Sequence, residues 1–203
     1  MNSTRAAIIE AADRLFYQRG YRDTSFADIA AAVGLSRGNF YHHFKSKDAI
    51  LDGVIALRRQ KTGELLAQWS AESADPAGRI RSFIHILAVN RDPILEHGCP
   101  VGSLCVELAK ADHEALADAA AIFTMFRDWL RAQFEALGRA DDADELAMHL
   151  LARSQGAATL ASAFHDRSFL DREIESLETW LAHCLGDRPE PQTQGAHPCS
   201  SSC

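Results

Sequence analysis

Residues 24–51 read Thr-Ser-Phe-Ala-Asp-Ile-Ala-Ala-Ala-Val-Gly-Leu-Ser-Arg-Gly-Asn-Phe-Tyr-His-His-Phe-Lys-Ser-Lys-Asp-Ala-Ile-Leu. Ser25 with Asp28 three residues on is a capping box, which starts a helix. Phe26, Ile29, Ala30 and Val33 recur at helical spacing and give that helix an apolar face. Gly34 follows at once, where a left-handed turn favours a residue without Cβ. Ser36 caps a second, short helix carrying Arg37 to His43, with Phe40 and Phe44 available to pack inward. Helix, tight glycine turn, short helix is the helix-turn-helix pattern, whose second helix lies in the DNA major groove.

The exposed face of that second helix is expected to offer Arg37, Gly38, Asn39, Tyr41 and His42. Arginine reads guanine bidentately and asparagine reads adenine. Gly38 lets the backbone approach DNA closely, at some cost in helix propensity. Tyr41, Lys47 and the Thr24 hydroxyl suit phosphate contacts, which position a protein without reading sequence. Lys47 also opens the next helix, whose free amides favour a phosphate. Ser25 and Ser36, at the two helix starts, complete the candidate set. A helical hairpin with no ligand would show the same outline, so charge matters. Residues 1–50 hold seven basic and five acidic residues, a net +2; the remaining residues hold 14 and 23, a net −9, within a total of −7. A basic head on an acidic body makes an oriented electrostatic footprint.

Outward from this stretch the pattern stays helical. Ile8, Ala12, Leu15 and Phe16 share a face, and Gly20 can end their helix. Ser46 caps a long helix from about Lys47 to Trp69. Asp75-Pro76 starts another, reaching about Asn90. Asp92-Pro93 breaks it, and a loop is expected as far as Gly98. Pro100 opens a helix through Lys110, and Asp112 precedes a long one ending near Gly138. Asp142 with Glu145 caps the next, to about His165; Ser168 with Asp171 caps the last, ending at Gly186. The expectation is an all-α chain of about nine helices. Residues 1–50 form a three-helix helix-turn-helix domain, and 51–186 a second helical domain. The stretch 187–203, rich in Pro, Gln, Gly and Ser, reads as a disordered tail.

Other classes recede. No apolar run approaches the ~18 residues of a membrane span. Glu10 and Asp13 interrupt any signal-peptide core, and five cysteines over 203 residues do not form a secreted disulfide framework. A cytoplasmic protein with free thiols is expected. No paired carboxylates, triad or metal-spaced cluster suggests an enzyme: His42 and His43 are adjacent and point apart, and Asp112-His113-Glu114 reads as a helix start. His197, Cys199 and Cys203 could hold a soft metal, but three ligands on a floppy tail make a weak site. No cofactor and no metal are expected.

Residues 5–55 closely resemble the DNA-binding signature of the TetR/AcrR family of bacterial repressors. The resemblance rests on Thr24, Ile29-Ala30, Val33-Gly34-Leu35-Ser36, Tyr41, His43-Phe44 and Lys45-Ser46-Lys47-Asp48. Ala11-Ala12, Leu15-Phe16 and Gly20-Tyr21 precede them as in that family. Asn39-Phe40 departs from the Thr-Leu often found before the tyrosine, which makes Asn39 a candidate for base choice. The resemblance implies a dimeric repressor that binds double-stranded operator DNA and is released by a small-molecule inducer held among the rear helices. Two features fit such a dimer. Ser154 to Phe164 is crowded with small residues, and Leu170, Ile174, Leu177, Leu181 and Leu185 form one stripe. Helices of about 142–165 and 169–185 could thus supply half of an intersubunit four-helix bundle; alternatively both stripes face their own core. Candidate pocket residues are Phe83, His85, Ile86, Leu104, Phe123, Phe126, Trp129 and Gln155, with Cys99.

Gly98-Cys99-Pro100-Val101-Gly102-Ser103-Leu104-Cys105 is the second informative stretch. Pro100 reads as the first helical residue, which places Cys99 at the N-cap. A thiolate there faces free amides and the positive dipole end, which favours reactivity. The stretch resembles a segment of thiol-responsive TetR repressors of the NemR kind. Cys99, with Cys105 as a partner after local opening, is therefore a candidate redox or electrophile sensor. The alternative is an inert cysteine lining an ordinary pocket.

Overall fold

The computed structural model describes residues 3–186, apart from the side chains of Ser3 and Arg37. Ten helices run through them in order: α1 Ser3–Arg19, α2 Phe26–Ala32, α3 Arg37–His43, α4 Lys47–Glu72, α5 Pro76–Val89, α6 Arg91–His97, α7 Pro100–Lys110, α8 Leu116–Ala136, α9 Ala143–Phe164 and α10 Arg167–Cys184. The described residues contain no strand, as expected of an all-α chain. The tail 187–203, with His197, Cys199 and Cys203, lies outside them.

Sequence signals set most boundaries. Ser25 and Asp28 form the capping box of α2, Ser36 and Ser46 cap α3 and α4, and Asp75 caps α5 ahead of Pro76. Gly34 takes φ +65°, the left-handed turn between α2 and α3. Four starts differ from expectation. Residues 91–97 form α6 rather than a loop, because Pro93 falls in the first turn, where its missing N–H costs nothing. Asp112 is left-handed and α8 begins only at Leu116. Asp142 makes no side-chain cap on α9, since Arg139 takes its carboxylate, and Asp166, not Ser168, caps α10.

Two cores result. The front core holds Ile8, Ala12, Phe16, Ile29, Phe40, Phe44 and the first turns of α4. It is not closed by α1–α4 alone: Leu104 and Leu108 of α7, and Ala115 and Ala119, complete it. The rear core joins α4, α5, α6, α8, α9 and α10. The stripe Leu170, Leu177 and Leu181 lies fully buried there, so the apolar face of α10 serves its own chain. Long α4 belongs to both cores and spans them.

Gly53 of α4 lies directly against Ile9 of α1. A Cβ there would meet Ile9 Cδ1 at 2.9 Å and Cγ1 at 3.0 Å. Gly53→Val should therefore overpack the front core by about 1–3 kcal/mol. Thermal unfolding should show a Tm lower by roughly 2–4 °C per kcal/mol; an unchanged Tm would contradict this packing.

Candidate functional site

Two regions combine exposed or cavity-facing polar groups with a fixed scaffold. The first is the outer face of α3. Phe40 and Phe44 are buried and anchor the helix, and Phe26 packs edge-on to Phe40 at 4.7 Å. On the outer face of the same helix Gly38, Asn39, Tyr41 and His42 are exposed. Phe26 stacks on the Tyr41 ring at 5.1 Å and fixes it while Tyr41 stays 48% exposed. Nothing stands within 4 Å of a Cβ built on Gly38, so no protein contact demands glycine there. Ser25 and Ser36 are exposed but cap α2 and α3. The Arg37 side chain lies outside the described residues.

Thr24 and Lys47 are corrected. Thr24 is fully buried and its hydroxyl donates to the Gly20 carbonyl at 2.8 Å, which spends its one proton inside the fold. Lys47 Nζ donates to the carbonyls of Tyr21 at 2.9 Å, Thr24 at 3.2 Å and Arg22 at 3.4 Å, and sits 4.3 Å from the Tyr21 ring centroid. All three ammonium protons are engaged. Lys47 pins the turn before α2 onto α4; it is a positioning residue.

That same turn reaches the rear helices. The Tyr21 hydroxyl donates to Asp48, and His113 Nε2 lies 3.6 Å from that carboxylate. Burial, and then the bond to Asp48, push the Tyr21 phenol well above its usual range. His113 Nδ1 accepts the Ala115 N–H at 3.1 Å, which leaves Nε2 to carry the proton of a neutral ring.

The second region is a cavity of about 460 Å³. Of the candidate pocket residues, Phe83, Ile86, Cys99, Phe123, Phe126 and Gln155 line it. Leu104, Trp129 and His85 do not. Leu104 is buried in the front core, Trp129 packs on Trp69 and donates to Ser70, and exposed His85 pairs with Glu178. Asp13, Arg14 and Tyr17 of α1, with Arg58 and Lys61 of α4, line it too and carry no signal in the sequence reading. Arg58, Lys61, Thr62 and Leu65 repeat at i, i+3, i+4 and i+7, a single helix face that spacing could have flagged.

Polar bonds tie the cavity wall to the front domain. Buried Arg58 donates through Nε to Asp13 Oδ1 at 2.7 Å and through Nη1 to the Pro100 carbonyl. The Tyr17 hydroxyl lies 2.9 Å from the Pro93 carbonyl and 2.8 Å from that of Gly98. Burial, reinforced by Cys99, pushes the Tyr17 phenol up to about 12, so it stays a neutral donor. Cys99 is the N-cap of α7, its Sγ accepting the Gly102 N–H at 3.4 Å. Cys105 packs against the front core instead, and burial pushes its thiol up, away from the thiolate that disulfide chemistry needs. Both are free thiols here.

Residues 8–54 match the model of the bacterial regulatory proteins of the tetR family, and residues 76–175 match the C-terminal domain of LmrA/YxaF-like transcriptional regulators. The chain belongs to the TetR family. It is a transcriptional regulator with a helix-turn-helix, not an enzyme. An uncharacterized HTH-type transcriptional regulator in the lacX 3' region of Lactococcus lactis subsp. lactis is 25% identical over 88% of this chain and 93% of that protein. A TetR transcriptional regulator from Chloroflexus aurantiacus J-10-FL superposes with TM-score 0.79, at 26% identity over 89% of this chain and 94% of that one. The reduced form of E. coli NemR superposes with TM-score 0.70 at 20% identity over 87% and 96%, a likeness of fold alone. No described helix is long and apolar enough to cross a membrane.

Lys47→Met separates clamping from phosphate binding. It should lower Tm, because three carbonyls lose their donor. The slope of log affinity for DNA against log salt should stay unchanged. A slope smaller by about 1 would instead assign Lys47 to a phosphate.

Proposed function

We propose that this TetR-family regulator is a dimeric, cytoplasmic repressor. It docks the exposed face of α3 in the major groove of a palindromic operator and lets go when the cavity is filled. The observation that carries this reading is the division of α3. Phe40 and Phe44 anchor it, while Gly38, Asn39, Tyr41 and His42 face outward with no protein contact demanding the glycine. Asn39, and Arg37 from its place in the sequence, are the base-reading candidates, and Tyr41 and His42 the flanking contacts. Ser25 and Ser36 sit where the helix starts would meet phosphates.

Dimerisation is assigned to α9 more than α10. Met148, Leu160 and Phe164 are exposed on α9, Phe164 at 71%, beside exposed Ala152, Gly156 and Ala163. Small residues between large apolar ones suit a close helix–helix contact. A twofold pair presents two α3 helices to half-sites about 34–36 Å apart, one DNA turn. A small apolar inducer in the cavity favours a state in which that spacing is lost. Modification of Cys99 is the second route to the same release. It is favoured by one observation: Cys99 both caps α7 and lines the cavity.

Gel shifts with DNA upstream of the protein's own gene, backed by selection from random sequences, test the reading. Specific binding is expected. Gly38→Ala should melt no lower than wild type, gaining up to about 1 kcal/mol of helix propensity, yet bind roughly tenfold more weakly, about 1.4 kcal/mol. N-ethylmaleimide should release wild type and spare Cys99→Ser if the thiol route operates; equal release of both would remove it. Failure of the selection to return any sequence would overturn the repressor.

A further inference from the structure

The cavity is apolar in its body and cationic on its α1–α4 side. Phe83 and Phe126 meet edge-on at 5.6 Å, with Leu87 and Phe123 also in the wall. Arg14, Arg58 and Lys61 line the opposite part, and Asp13 is the sole acid among the lining residues. That is a local charge of +2 on a chain whose total is −7.

Arg58 is the decisive group. It is 7% exposed and carries five N–H donors. Three are engaged, by the Asp13 carboxylate, the Asp13 carbonyl and the Pro100 carbonyl. The other two have no protein partner among the described residues, and buried charged donors call for acceptors. Lys61 Nζ lies 3.6 Å from Asp13 Oδ2 with its side chain 57% exposed, so it keeps donors for a ligand at the rim. Pro100 and Val101, in the first turn of eleven-residue α7, bring the positive end of that helix to the same wall. A cationic ligand would face these charges with one carboxylate already shared by two cations. A neutral carbonyl would meet the Arg58 donors without the charge-assisted strength that a carboxylate brings.

We propose that the cavity takes an amphipathic monocarboxylate, an aliphatic or aromatic acid. Its carboxylate lies on Arg58 and Lys61 and its body against Phe83, Phe123 and Phe126. At about 460 Å³ the cavity falls in the ~300–1,000 Å³ range usual for small-molecule sites. The bound carboxylate competes with Asp13 for Arg58. Asp13 belongs to α1, so occupancy loosens the front domain from the cavity wall. This coupling rests on the reading of the cavity as the inducer site; the ligand chemistry does not.

Titration calorimetry on the whole protein with decanoate and 4-phenylbutyrate, against decanamide and decylammonium, tests it, with operator gel shifts run separately. Decanoate should bind at least about tenfold more tightly than decanamide, a charge-assisted bond's worth, and more weakly as salt rises. Lys61→Gln, at an exposed position, should weaken decanoate about threefold and leave decanamide unchanged. Asp13→Asn, which removes the competitor, should tighten decanoate. Decanamide or decylammonium binding as well as decanoate, or neither acid binding, would overturn the proposal. Decanoate binding that leaves the operator complex intact keeps the carboxylate site and overturns the inducer reading. Operator release by decanamide alone keeps the inducer reading and overturns the carboxylate.

Discussion

Arg58 buries its guanidinium where α1, α4 and the start of α7 meet, and the relation between the two halves of the protein depends on it. A buried charge is tolerable only when it is paired and hydrogen-bonded. Asp13 supplies the counter-charge from α1, and Pro100 supplies a carbonyl from α7. Losing one partner of such a pair typically costs about 3–5 kcal/mol, because the other charge is left uncompensated. Tyr17 adds a second tie from α1 to the carbonyls of Pro93 in α6 and of Gly98, the residue that ends it. The front helices are therefore held by polar bonds to the wall of the cavity. Among the described residues, α3 is seated on the front core chiefly through Phe40 and Phe44.

This arrangement joins the two cores physically. The front core is completed by Leu104, Leu108, Ala115 and Ala119, so it cannot shift without disturbing α7 and α8. Lys47, Tyr21, Asp48 and His113 make a further bridge at the first turn of α4. A ligand that displaces the cavity wall acts on the same residues that seat α1. Coupling between sites needs differential contacts in two states, and the Asp13–Arg58 pair is an element that both a ligand and the front domain can claim.

Local chemistry is legible in the sequence, and partners across the fold are not. The capping box at Ser25 and Asp28, the left-handed Gly34 and the inward Phe40 and Phe44 follow from rules spanning three or four residues, and each stands where those rules put it. Cys99 at the N-cap follows from Pro100 in the same way. Thr24 and Lys47 mislead because a hydroxyl or ammonium in a basic segment suits a phosphate equally well on paper. Only the fold brings the Gly20 carbonyl to Thr24, and those of Tyr21, Arg22 and Thr24 to Lys47. The α10 stripe shows the same limit: periodicity reveals an apolar face but not whether it meets its own core or a second copy. Asp13, Tyr17 and Arg58 look like ordinary surface residues on amphipathic helices, since their meeting spans more than forty residues of chain.

The central claim is that the α1 junction at the cavity governs operator binding. Tyr17→Phe tests it most directly: it deletes one hydroxyl on α1, leaves α3 untouched and retains the ring that packs against His97. Operator affinity should change about threefold or more, within the range of one lost hydrogen bond, while circular dichroism shows the same helix content. An operator Kd equal to wild type would contradict the claim, and would leave the ties between α1 and the cavity wall as supports for the fold alone.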